Sequence, residues 1–413
     1  MTYQLASAPP SALPSAPPSA PPSARNLVPA ARDPFFDVVR ALGLMIVVVG
    51  HWLTGGFALV PDGTTGERIL TVVNPLNAIP GSAPLTWTVG VLGVFFLVGG
   101  RLSALSWQRA VARRQGYGSW LGGRVAGLAR PALGVVALLA LAGGVALWSG
   151  VPTATIWSLV AVALSPLWFL GVYFCLTALT PALVALDRRF GWWATVLLAL
   201  VVALVDVTRF SPWAPLAPDG LAWLALRPGW GVPFHLGRAW STRRPGRRAA
   251  AAVTAGAGAG LLALVGLAGY SPVLTMAGGC DPTKSQTHPP SLAIVAALLA
   301  WCGACWLLEP LIRRHAARWA EAPLVAWTTR HPVAILAWHQ ALACLLTCLM
   351  AWLIPQITVF GLFGLPTGGA WLAARATWLA VPVVAVLALR RLRVGAGPSQ
   401  LGRLQGSALK AHL

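Results

Sequence analysis

The chain has 413 residues, of which 57% are hydrophobic and only 10% charged, and its mean hydropathy is +0.71. A soluble domain carries about 25% charged residues, so ten acidic and thirty basic side chains cannot clothe a water-facing surface of this size. An ordinary soluble globule is excluded. The net charge of +20 would invite a nucleic-acid partner, but such a partner needs the basic groups on one solvated face. Here they punctuate apolar runs, and no nucleic-acid binding is expected.

Residues 1–33 repeat a Ser-Ala-Pro-Pro unit, as in Ser15-Ala16-Pro17-Pro18. Such repeats have no large apolar side chains with which to build a core, so a disordered tail is expected there. The segment also lacks the basic start and apolar centre of a secretory signal. A membrane-spanning helix needs about 20 mostly apolar residues. That length predicts an all-α, polytopic membrane bundle of about ten helices over 38–59, 85–107, 131–150, 167–186, 192–208, 221–240, 249–270, 291–311, 332–354 and 370–389. The transmembrane domain covers 34–393, and 394–413 forms a short basic tail. Residues 151–166 are apolar but short and are bounded by Pro152 and Pro166, which suggests a re-entrant or interfacial piece. In the sixth span Arg227, Pro228, Gly229, Gly231, Pro233 and His235 interrupt the apolar run. A broken helix survives in lipid only where protein or water satisfies its backbone, so this span is expected to line a cavity.

Cytoplasmic loops collect Lys and Arg. With both termini cytoplasmic, the inner segments hold Arg25, Arg32 and Arg40, the group from Arg109 to Arg130, Arg188 and Arg189, the group from Arg238 to Arg248, the group from Arg313 to Arg330, and Arg390 to Lys410. The outer side keeps Arg68, Arg209, Arg227, Lys284 and Arg375. The alternation holds in every loop. Only Lys284 and Lys410 are lysines, an arginine bias that with the Ala, Gly and Pro content points to a GC-rich source and a bacterial plasma membrane. Of six cysteines only Cys280 falls in a polar loop, so no disulfide framework is expected. Cys302 and Cys305 lie in an apolar helix without His or acidic neighbours, and no metal site is expected from them.

Ionisable groups inside spans are costly and point to function. Arg40 and His51 are eleven residues apart, three turns plus about 20°, so they project from one helical face roughly 16 Å apart along the axis. Asp37 lies on the same stripe, close enough to pair with Arg40. Asp37 and Arg40 also suit a headgroup anchor. His51 must face the bundle interior, because lipid exposure of an imidazole is expensive. His339 lies at a depth that lets it approach His51 across the bundle. His235 is expected beside a cavity, and His288 in an outer loop. Trp168 and Trp338 are retained as cavity residues, whereas most of the 21 tryptophans fall near helix ends, as in an interfacial belt.

The run Phe36-Asp37-Val38-Val39-Arg40-Ala41-Leu42 to Val49-Gly50-His51 resembles the opening helix of the integral-membrane acyltransferase family 3. Phe95-Phe96-Leu97-Val98-Gly99-Gly100 is similar to that family's second-helix Phe-Phe-x-x-Ser-Gly, with Gly99 in the place of its serine. Leu167-Trp168-Phe169-Leu170-Gly171-Val172-Tyr173 and Ala334-Ile335-Leu336-Ala337-Trp338-His339 resemble two further segments, so the likeness runs from 33 to about 390. The family's Arg-x-x-Arg is altered here. Arg124 is followed by Gly127, and the next arginine is Arg130, before Pro131. The resemblance implies acyl transfer, usually from acyl-CoA as co-substrate without another cofactor, to a hydroxyl of a carbohydrate, lipid or secondary metabolite. Arg40, Arg124 and Arg130 would then hold the donor's phosphates and His51 would act as base. Asp37, Trp168, His235 and His339 are the remaining candidate binding residues. A transporter or flippase of a glycan or lipid-linked substrate is the alternative, since it too needs buried polar groups near the midplane.

Overall fold

The computed structural model describes residues 33–63, 66–74, 79–210, 218, 220–275, 286–353, 361–381 and 384. The predicted tails, Cys280, Lys284 and the end of the tenth predicted span lie outside them. From Pro34 onward the described chain is an all-α, multi-pass membrane bundle, with eight helical stretches long and apolar enough to cross a bilayer. The first is α1 (Pro34–Thr54), and the second is a 3-10 segment, Ala83–Gly90, running into α2 (Val91–Ala112). α3 (Tyr117–Trp148) follows, then α4 (Thr153–Leu164) with α5 (Leu167–Ala178). The remaining spans are α7 (Trp193–Phe210), α9 (Arg247–Gly266), α10 (Leu292–Glu321) and α12 (Pro332–Leu353). Three shorter helices interleave: α6 (Thr180–Phe190), α8 (Leu226–Trp240) and α11 (Pro323–Arg330). A last described helix, α13, covers Gly369–Trp378.

Four departures from the sequence-based expectation have physical causes. The first helix ends at Thr54 rather than 59, because a two-stranded antiparallel hairpin, β1 (Gly56–Pro61) and β2 (Arg68–Val73), follows Gly55. Phe57, Ala58 and Leu70 of this hairpin are buried, so its apolar residues cap the bundle instead of extending the helix. Residues 151–166 are neither re-entrant nor interfacial. α4 runs into α5 as one apolar stretch, Thr153–Ala178, since Pro166 stands at the N-cap of α5, where a missing N–H costs little. The predicted fourth span therefore stops at Ala178, and α6 is a separate amphipathic helix carrying Asp187, Arg188 and Arg189.

The sixth predicted span divides into a 3-10 segment, Leu221–Ala225, and α8. α8 is continuous through Pro233, and every residue from Gly229 to Trp240 is buried. Its polar and small residues serve close packing. A Cβ on Gly100 would stand 1.8 Å from the Phe234 carbonyl oxygen, and one on Gly237 would stand 1.7 Å from that of Leu97. The two glycines thus let α2 and α8 touch backbone to backbone, the usual role of small residues between membrane helices. α3 and α9 are the peripheral helices. Only Trp120 and Val135 of α3 are buried, and Leu133, Leu138, Leu141 and Leu147 are exposed, as on a lipid-facing helix. α1 is central, packing on α2, α10, α11 and α12.

Candidate functional site

His51 occupies the last turn of α1, and α12 brings His339 against it, with His339 Nε2 3.0 Å from His51 Nδ1. The rings are tilted 33° with centroids 5.0 Å apart. His339 Nδ1 lies 2.9 Å from the Leu336 carbonyl oxygen and 3.1 Å from that of Ile335. Those carbonyls only accept, so Nδ1 of His339 carries the hydrogen and its Nε2 is left with a lone pair. His51 Nδ1–H therefore donates to His339, and in the neutral ring the lone pair of His51 is on Nε2. A chain of backbone carbonyls and one imidazole thus fixes which nitrogen of His51 can take a proton.

His51 stands in the wall of a cavity of about 350 Å³, bounded by α1 from Met45 to Thr54, by Leu85 to Leu92, and by Thr275 and Leu372. The wall is apolar even where it is built of threonine. Thr54 donates its hydroxyl to the Gly50 carbonyl, Thr86 to Ala83 and Thr88 to Leu85, so their methyl groups are left to line the space. Thr275 adds a buried hydroxyl without a partner among the described residues.

The end of α1 is clamped by Arg375, which is 1% exposed on α13. Its Nε donates to the Trp52 carbonyl at 2.8 Å, one Nη donates to Leu362 at 2.8 Å and Gly361 at 3.3 Å, and the other donates to the Gly55 carbonyl. The Trp52 indole donates back to the Arg375 carbonyl at 2.6 Å. Helix C-terminal carbonyls carry partial negative charge, so they supply the counter-field that this buried guanidinium needs. Sequence reasoning left Arg375 among the outer basic residues, although it falls inside the tenth predicted span, where the cost of an ionisable group marks it. Asp206 of α7 was passed over in the same way. It accepts from the Tyr270 hydroxyl at 3.1 Å and from the Leu292 N–H at 2.6 Å, which ties α7 to the start of α10.

Of the other predicted residues, Asp37 is buried in the first turn of α1 and Arg40 is half-buried one turn on. Arg124 joins Arg109 and Arg113, with Ser106, Gln115 and Trp120, around a second cavity of about 410 Å³ at the inner end of α2. Arg130 is exposed and is not among its lining residues. The six-residue step from Arg124 to Arg130 turns about 240° round the helix, so the two arginines project to different sides of α3. Trp168 packs on Trp230, with centroids 5.1 Å apart, and edge-on to His288 at 4.0 Å. Burial in that outer loop pushes the His288 imidazole down to about 4. Trp338 packs in the cluster beneath the hairpin, together with Trp52 and Phe57.

His235 is fully buried. It shares a 2.9 Å hydrogen bond with Thr195 and lies 3.8 Å from Asp187, which also holds Arg243 at 3.0 Å and Arg238 at 3.4 Å. This cluster ties α6, α7 and the end of α8 together. The place of the missing serine is also explained, since a Cβ on Gly99 would lie 2.5 Å from the Tyr173 ring. Tyr173 belongs to the third matching segment, so the two motifs are adjusted to each other.

A family model described as an acyltransferase domain, acyltransferase family 3, matches residues 33–389. Curated proteins and solved structures return no match.

Proposed function

The chain belongs to acyltransferase family 3 and is a membrane-embedded enzyme transferring groups other than amino-acyl groups, and from that premise we propose that it moves an acyl group from acyl-CoA to a hydroxyl of a carbohydrate, lipid or secondary metabolite. We assign it to a bacterial plasma membrane. The observation that carries the chemistry is the His339–His51 hydrogen bond. It leaves Nε2 of His51 as the proton acceptor, and histidine is the side chain best matched to base catalysis near neutral pH. The acceptor hydroxyl gives its proton to His51 Nε2 while its oxygen bonds to the thioester carbonyl carbon. The C–S bond then breaks with its electron pair on sulfur, and the thiolate recovers the proton from His51. The described partner of His51 is an imidazole rather than a serine or cysteine, which supports direct transfer without an acyl-enzyme. His339 shares the positive charge that forms on His51 and is itself steadied by two carbonyls.

The two cavities support a donor with an anionic head and a long thin arm. Leu105 lines the arginine-bearing cavity and Leu92 the His51 cavity, and the thirteen residues between them on α2 span about 20 Å. Arg109, Arg113 and Arg124 suit bidentate charge-assisted bonds to phosphate, and Trp120 offers a flat face beside them. Arg40, about 16 Å below His51 along α1, would meet the same head group from the other side.

The test is transfer in membranes holding equal amounts of folded wild type and His51→Ala, supplied with labelled acyl-CoA and a panel of hydroxylated acceptors. The wild type should form ester and the variant should lose at least about 100-fold in rate. Ester formation unchanged in His51→Ala would remove the base, and an acceptor that crosses the membrane unmodified would favour transport instead.

A further inference from the structure

The cavity beside His51 contains more space than a catalytic base needs, and its position says what fills it. It runs along α1 from Met45 to Thr54, past His51, so a donor whose head is held at the inner surface can lay its acyl chain into it. Its volume of about 350 Å³ exceeds the roughly 150 Å³ that an apolar cavity needs to hold a benzene-sized guest, so it has room for a chain of medium length. Met45, Ile46, Val49, Leu53, Leu85 and Leu372 line it, and the threonine hydroxyls at 54, 86 and 88 are turned to backbone carbonyls. A largely apolar space of this kind suits a hydrocarbon chain. It is poorly suited to a sugar, whose hydroxyls would find few partners there.

Gly50 is an independent sign. It precedes His51 in the body of α1 and lines the cavity, and a Cβ built there meets nothing within 4 Å. Glycine disfavours a helix interior, and no neighbouring backbone requires it here, in contrast to Gly100 and Gly237. Its missing side chain leaves the cavity open next to the reacting imidazole. We propose that this cavity is the acyl-chain site and that the enzyme takes medium-chain acyl donors, of roughly octanoyl to decanoyl length, in preference to acetyl donors. The inference rests on the acyl-CoA reading above.

The test compares kcat/KM for octanoyl-CoA and acetyl-CoA in wild type, Gly50→Ala, Gly50→Leu and Leu372→Trp, each checked for folding by thermal unfolding in detergent. Wild type should favour octanoyl-CoA by at least about tenfold. The octanoyl-to-acetyl ratio should fall progressively from Gly50 to Ala to Leu, by at least about tenfold at the end of the series. Leu372→Trp, which narrows the opposite wall, should move the ratio the same way. Equal use of both donors by wild type, or loss of both donors in parallel along the series, overturns the proposal while leaving acyl transfer intact. Unchanged donor preference with a changed preference among apolar acceptors also overturns it and assigns the cavity to the acceptor. Absence of transfer from every thioester defeats the acyl-CoA reading itself.

Discussion

At the scale of single residues, the proposed mechanism makes one unit of the hydrogen-bonded pair His51 and His339. With His339 removed, His51 loses the acceptor that keeps its hydrogen on Nδ1, and the ring is free to take the tautomer that cannot act as base toward the cavity. His339→Phe should therefore lower kcat by roughly 10- to 100-fold with little change in KM, the signature of an interaction that matters in the transition state. His339→Gln, whose carbonyl can still accept from His51, should recover part of that loss. Steady-state rates with labelled donor check both, and a change confined to KM would assign His339 to binding. Arg40 and His51 were legible from sequence because charged and titratable groups stand out in an apolar helix. The partnership with His339 was legible only as a matching depth, since 288 residues separate the two rings and nothing local fixes their distance. Arg375 was legible by the same rule that singled out His51, but its role as a clamp was not, because its partners are backbone carbonyls that leave no trace in residue type.

At the scale of elements, glycine has opposite meanings in α1 and α2. Gly100 and Gly237 sit where a methyl group would collide with the backbone of the facing helix, so Gly100→Ala should cost about 3 kcal/mol or more and lower the unfolding temperature sharply. Gly50 faces open space, and Gly50→Ala should raise helix stability by up to about 1 kcal/mol. Thermal unfolding of the two variants in one detergent compares them directly, and a shift of the same sign in both would refute the distinction. The reading of 221–240 as a broken helix treated Pro and Gly as local breakers. Around α8 the surrounding helices satisfy or tolerate those defects, so the same residues mark a buried, closely packed helix. In 151–166 the prolines lie at helix starts, where they are permitted, and the segment becomes half of a span.

At the scale of the whole molecule, the distribution of arginine along the chain orients the bundle. A phosphatase reporter fused after Ser149, at the outer end of α3, should be exported and active, whereas one fused after Arg114 should stay inside and silent. The reverse pattern would invert the topology and move the arginine-bearing cavity to the wrong side for a cytosolic donor. Sequence by itself determined the membrane class, most of the spans and the spacing of Arg40 and His51 along one helix, because each follows from local composition or from the fixed pitch of one helix. Tertiary structure decided what that stripe faces. It brought His339 to His51, closed the end of α1 with a hairpin and Arg375, gathered Arg109, Arg113 and Arg124 while leaving Arg130 outside, buried His235 against Thr195 and left a cavity at Gly50. Those outcomes depend on how separate helices cross, and crossings are set by summed packing over distant segments, a quantity that no stretch of sequence carries alone.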